Sequence, residues 1–167
     1  MPATYEKIQS TTLGSAAANI DFTSIGSSYT DLRLIITSTV SSAGQALRIR
    51  FNSDTGTNYS YTYLVGDGGG AGSARTSSSS FINLDSATSG NSTTIPTLYT
   101  FDIFSYAGST FKTALLTNSG DRNGSGFVAN QVNLWRSTSA ITAISIYVAT
   151  GNLNTGTTAT LYGILKA

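Results

Sequence analysis

Apolar and polar residues alternate along most of this chain. Leu32, Leu34 and Ile36 are separated by Arg33 and Ile35, and Leu47, Ile49 and Phe51 by Arg48 and Arg50. A period of two sends successive side chains to opposite faces, so these runs predict strands with one buried side. Tyr59, Tyr61, Tyr63 and Val65 repeat the pattern, with Ser60, Thr62 and Leu64 between them. Residues 5–13, 19–22, 81–84, 98–104, 111–117, 127–135, 141–148 and 158–165 read the same way, for about eleven short strands.

Turn residues separate the runs: Gly14, Gly26, Gly44, Asp54-Thr55-Gly56, Gly66-Asp67-Gly68-Gly69-Gly70, Ser89-Gly90-Asn91, and the glycine-bearing stretches 120–126 and 151–156. Glycine supplies positive φ there, and Asn, Asp and Ser hydrogen-bond their own backbone. Strands and turns at this spacing, with no shift of composition along the chain, predict one antiparallel β-sandwich domain over 1–167. Its size suits a jelly-roll-like arrangement of eight core strands with extras. The longest stretch expected to lack structure is 66–80, a Gly-, Ala- and Ser-rich excursion from one end of the sandwich that could also reach a neighbour.

Composition supports the all-β class and narrows the chemistry. Ser and Thr fill 51 of 167 positions, Glu occurs once and Lys three times, so the residues that furnish exposed helix faces are nearly missing. Charged residues make up 10%, against about 25% in an average domain. The 40% hydrophobic content nevertheless lies outside the regime of disordered chains. With neither His nor Cys, the chain cannot build a Cys/His zinc site, a disulfide framework, a histidine base or a Ser-His-Asp or Cys-His nucleophile. The net charge of +1 and the lack of a basic run beyond Arg48 and Arg50 argue against nucleic acid as a partner. No stretch approaches 18 apolar residues and the opening residues lack a signal-peptide pattern. A soluble, cytosolically made protein with no membrane partner is expected.

The remaining catalytic option is a carboxylate pair. Glu6, Asp21, Asp31, Asp54, Asp67, Asp85 and Asp121 mostly adjoin turn residues, which suggests turn and cap duty. Asp102 is the exception, inside the apolar run 98–104. It falls on the face opposite Tyr99, Phe101 and Ile103 and reads as a structural acid at a sheet surface or subunit contact. Asn52 to Asn58 superficially resembles a calcium loop but lacks the terminal bidentate Glu, and Gly66 to Gly72 lacks the Gly-Lys-Ser/Thr ending of a phosphate loop. No metal, cofactor or catalytic site is expected, and the chain reads as a non-enzyme. The phenols of Tyr59, Tyr61 and Tyr63 would each need a hydrogen-bond partner if buried, which favours partial exposure or an interface. These three, with Arg75 in the 66–80 excursion and Trp135, are the candidate interface residues.

Several segments resemble a recurrent type of tailed-bacteriophage virion protein: Tyr5-Glu6-Lys7-Ile8 with Leu13-Gly14-Ser15-Ala16, the stretch from Phe51 to Tyr59, Leu134-Trp135 with Ala140 to Ile144, and the closing Leu161-Tyr162-Gly163-Ile164. Such proteins resemble jelly-roll capsid decoration, or cement, proteins, commonly trimeric. The resemblance implies a homotrimer that stabilises the head by bridging major capsid protein subunits on the outer surface of the virion, after synthesis in the host cytoplasm. It transfers no functional residues. A head-fibre or tail-fibre module that recognises host-surface carbohydrate through the tyrosines is the alternative. A polysaccharide-cleaving tailspike domain is less favoured, because the acids show no pairing and no solenoid repeat is visible.

Overall fold

A computed structural model describes residues 5–85 and 90–165 of the chain. The first four residues, and Ser89 of the expected Ser89-Gly90-Asn91 turn, lie outside that range. Twelve strands follow in order: β1 (Tyr5–Thr12), β2 (Asn19–Phe22), β3 (Asp31–Ser38), β4 (Leu47–Phe51), β5 (Tyr59–Gly66), β6 (Ala71–Ser79), β7 (Ile82–Asn83), β8 (Thr97–Phe104), β9 (Lys112–Asp121), β10 (Gly126–Trp135), β11 (Ile144–Val148) and β12 (Thr158–Ile164). Among the described residues there is no helix, as the shortage of Glu and Lys leads one to expect.

The strands form two antiparallel sheets, ordered β1-β12-β3-β8-β9-β10-β5-β6 and β2-β11-β4-β7. Within this order β1 pairs with β12, β2 with β11, β3 with β8 and β4 with β7. Those four pairs are nested like the rungs of one long hairpin, and successive rungs alternate between sheets. A hairpin rolled up in this way is a jelly roll. The expected eight core strands and extras are both present: β5 and β6 are inserted between β4 and β7, and β9 and β10 between β8 and β11. The insertions join each other through β5 and β10, and extend one edge of the large sheet by four strands.

The core lies between the original four-strand sheets. Leu32, Leu34 and Ile36 of β3, Tyr99, Phe101 and Ile103 of β8, and Leu161 of β12 cluster with Leu47, Ile49 and Phe51 of β4, Ile20 and Phe22 of β2, and Ile144 and Ile146 of β11. All are buried, on the alternate positions that the sequence marks. Asp85 stitches the sandwich beside β7. Its carboxylate accepts hydrogen bonds from Leu47 N–H at 2.8 Å, Asn91 Nδ2 at 2.9 Å and Tyr99 Oη at 2.7 Å. A buried carboxylate with three donors is a structural element rather than an exposed reactive group.

The stretch 66–80 departs from expectation. It closes a hairpin, with Asp67 N–H donating to Gly70 O at 3.3 Å and Gly68 at φ +84°, and returns as β6 along β5. Its composition is poor for a strand, but β5 supplies a rigid, already paired edge on which it can form. The closing motif also acquires a structural reason. The ring of Tyr29 lies on Gly163, where a Cβ would meet ring carbons at 2.3–2.5 Å; Tyr29 Oη donates to Glu6 at 3.1 Å.

Candidate functional site

The residues singled out by sequence divide between the core and one sheet surface. Tyr59 and Trp135 are core residues, both under 5% exposed. Their rings form a cluster with Phe51, at centroid distances of 5.5 to 6.3 Å. Burial leaves Tyr59 and Trp135 no surface to offer a partner. The polar tips that argued for exposure are satisfied internally. Phe51 N–H donates to Tyr59 Oη at 3.0 Å, and Trp135 Nε1 donates to Asp54 at 2.7 Å. Burial pushes the Tyr59 phenol above its usual range. Tyr61 is also buried and Tyr63 half-buried, so the tyrosine row runs outward from the core along the inner side of β5.

The loop from Asn52 to Asn58 is an internal brace. Asp54 accepts Trp135 Nε1, Asn58 Nδ2 at 3.0 Å and Gly56 N–H at 2.8 Å. Burial acts to raise its carboxyl pKa, but these hydrogen bonds prevail and hold it below the usual value. Asn52, at φ +50°, accepts the N–H groups of Thr142 and Ala143 at 2.9 and 3.0 Å and donates to Ala140 O at 2.8 Å. Two of the quoted sequence segments are thereby fastened to each other.

The outer face of the extended sheet shows a reversed polarity. In β10 the buried positions are Ala129, Gln131, Asn133 and Trp135, and the outward ones are Val128, Asn130, Val132 and Leu134. Two amides point inward while three aliphatic residues point out. The amides are covered by β7 and the residues after it: Gln131 donates to Asn83 O at 3.0 Å and to Asn133 at 2.6 Å, and Asn118 of β9 donates to Leu84 O at 3.0 Å. Lys112, at the start of β9, is also buried, with its ammonium donating to Gly108 O at 2.7 Å.

Strand register assembles the outward residues into rows. Asp102, Leu115, Val132, Thr62 and Arg75 lie in one row across β8, β9, β10, β5 and β6, and Thr100, Thr117, Asn130, Leu64 and Ser73 in the next. Leu98, Ser119 and Val128 follow on the third. Leu64 is 66% exposed, Val128 63%, Val132 48% and Leu115 43%. Between Leu98 and Phe104, Thr113 and Ser119, Val128 and Leu134, and Ser60 and Leu64, the only outward charge is Asp102. That charge is neutralised by Arg33, whose Nε and Nη2 donate to the two carboxylate oxygens at 2.5 and 2.8 Å. Asp102 is thus the sheet-surface structural acid expected.

Arg75, on the edge strand, borders a shallow depression of about 330 Å³ shared with Thr62, Thr113 and Val132. At the other end of the face, Leu98 and Val128 border an open groove of about 660 Å³ between the β5–β6 and β9–β10 turns. With four strands, β8, β9, β10 and β5, about 4.8 Å apart and about seven residues of 3.4 Å along each, this face has a flat footprint on the order of 450 Å². That is about half of one partner's share of a standard protein interface, roughly 800 Å², the size of its apolar centre. Comparison with protein-family models, curated proteins and solved structures gives no match to this chain.

Proposed function

We propose that this chain is a structural protein of a bacteriophage particle, a homotrimeric capsid decoration protein that bridges neighbouring major capsid protein subunits on the outer surface of the head. Its work is contact rather than turnover. The observation that carries the proposal is the reversed polarity of β10, with Val128, Val132 and Leu134 outward and Gln131 and Asn133 buried. In an isolated chain that arrangement hydrates apolar side chains while dehydrating amides, the opposite of what burial favours. A second copy or a capsid subunit laid on the face removes the aliphatic side chains from water and desolvates almost no charge, as the core of a permanent interface requires. The jelly roll and the segments resembling phage virion proteins support the same reading, though a fold alone does not specify a function.

Two measurements test it. The purified chain is expected to sediment as a trimer, and to add to particles that lack it, raising their resistance to heat. A monomer that never adds to particles but binds host-surface glycans would overturn the proposal in favour of a fibre module.

A further inference from the structure

Every open sheet has two edges, and proteins ordinarily protect them with shortness, charge, proline or bulges. Here three of the four edges are protected. In the small sheet β2 has four residues and β7 two. In the large sheet β1 carries Glu6 and Lys7 and a register shift between Lys7 and Gln9. The fourth edge, β6, has one of these devices over its regular part, the charge of Arg75, and neither shortness, proline nor a bulge. It runs nine residues without proline, with Arg75 as its only charge, and pairs with β5 alone.

The hydrogen-bonding phase of that edge follows from the turn. Asp67 and Gly70 form the bonded pair that closes it. Opposed residues then alternate, so the N–H and C=O of Ala71, Ser73 and Arg75 turn away from β5. The regular part of the strand is its first half, because the register shift opposite Tyr59 to Tyr61, and Ser78 at φ +57°, disturb the second. Residues 71–76 therefore present a straight backbone edge bearing small side chains.

We infer that this edge pairs with the same strand of a second copy, antiparallel, about a two-fold axis at Ser73. Selective recognition of an unrelated peptide by strand addition needs pockets for alternate side chains, and Ala71, Gly72, Ser73 and Ala74 form none. A symmetric pair needs no pockets, because the same surface meets itself. The single charge sets the register. An axis at Arg75 would place like charges directly opposite, which is destabilising. An axis at Ser73 sets Arg75 across from the partner's Ala71 and keeps the outward groups of both strands in bonding phase. The same axis makes the outer faces of the two copies continuous. This contact goes beyond the trimer proposed above and would link one trimer to the next.

The absence of cysteine makes the test direct. In Ser73→Cys the two introduced thiols would sit on a bonded pair with Cα atoms about 5.5 Å apart, within disulfide range. Under mild oxidation at the highest soluble concentration, most of the full-length variant is expected to run as a covalent dimer, while Thr12→Cys on the β1 edge stays a single chain. Ser73→Pro removes an outward donor without breaking a bond to β5, and is expected to halve the mass of the largest species with an unchanged far-ultraviolet spectrum. Equal cross-linking of the two cysteine variants, or an unchanged mass for Ser73→Pro, overturns the pairing. The trimer itself is judged by whether the remaining mass is a multiple of three, so either reading can fail alone.

Discussion

Replacing Val132 by lysine separates the stability of the chain from that of its assembly. Val132 is 48% exposed, at the middle of the outer face, with Leu115 on one side and Thr62 on the other. In an isolated chain a lysine there can extend into water, and a surface substitution of this kind changes folding stability by no more than about 0.5 kcal/mol. In an assembly that covers the face, the ammonium is buried. The nearest outward carboxylate in its row is Asp102, two strands or about 10 Å away, and it is already held by Nε and Nη2 of Arg33. An uncompensated buried charge costs about 3 kcal/mol or more, on the order of 100-fold in the association constant for each contact. Thermal melting and sedimentation velocity read the two effects independently. The variant is expected to melt within a few degrees of the unassembled wild type and to lose the trimer, sedimenting as nothing larger than the pair joined through β6. Val132→Thr, which keeps the shape, should weaken assembly less. A Val132→Lys variant that remains trimeric at every dilution would refute burial of this face.

Three further outcomes follow from the internal contacts. The Asp54 carboxyl has a lowered pKa in the folded chain, so its contribution to stability is complete above the unfolded value and is lost as pH falls through 3.8 towards the folded one. Denaturant titrations should show that decline in the wild type and a shallower one in Asp54→Asn, which at neutral pH should be about 1–2 kcal/mol less stable through weakened bonds to Trp135, Asn58 and Gly56. Burial raises the phenol pKa values of Tyr59, Tyr99 and Tyr106. Their stabilisation is therefore present below pH 10 and lost as pH rises through the folded values, and phenolate absorbance should show these three ionising only as the chain unfolds at high pH. Gly163→Ala forces the Tyr29 ring to move, and should lower stability by about 1–3 kcal/mol, seen as a lower denaturant midpoint.

Much of the fold was legible because the core strands are strongly one-sided. Leu32, Leu34 and Ile36, or Leu47, Ile49 and Phe51, leave no doubt about which face is covered. The 66–80 stretch was not legible as a strand. Ala, Gly and Ser have little preference for extended structure, and β6 forms through its pairing with β5. The interface residues were legible only in part. Arg75 and Tyr63 retain exposure, but Tyr59 and Trp135 are core residues because the loop at Asn52 to Asn58 brings Asp54 and the Phe51 backbone to their polar atoms. A local reading of alternation cannot locate those partners.

By itself the sequence determined that the chain is built of strands, where most of them begin and end, and that neither cysteine nor histidine chemistry is available to it. Those conclusions depend on side-chain period and composition, which are local properties. Only the tertiary structure decided which side of β9 and β10 faces inward. Both sides of these strands mix apolar and polar residues, so the outcome depends on what lies above them. The β7 segment supplies backbone carbonyls that take the amides of Gln131 and Asn118, and the valines of β10 are left on the opposite side, outward.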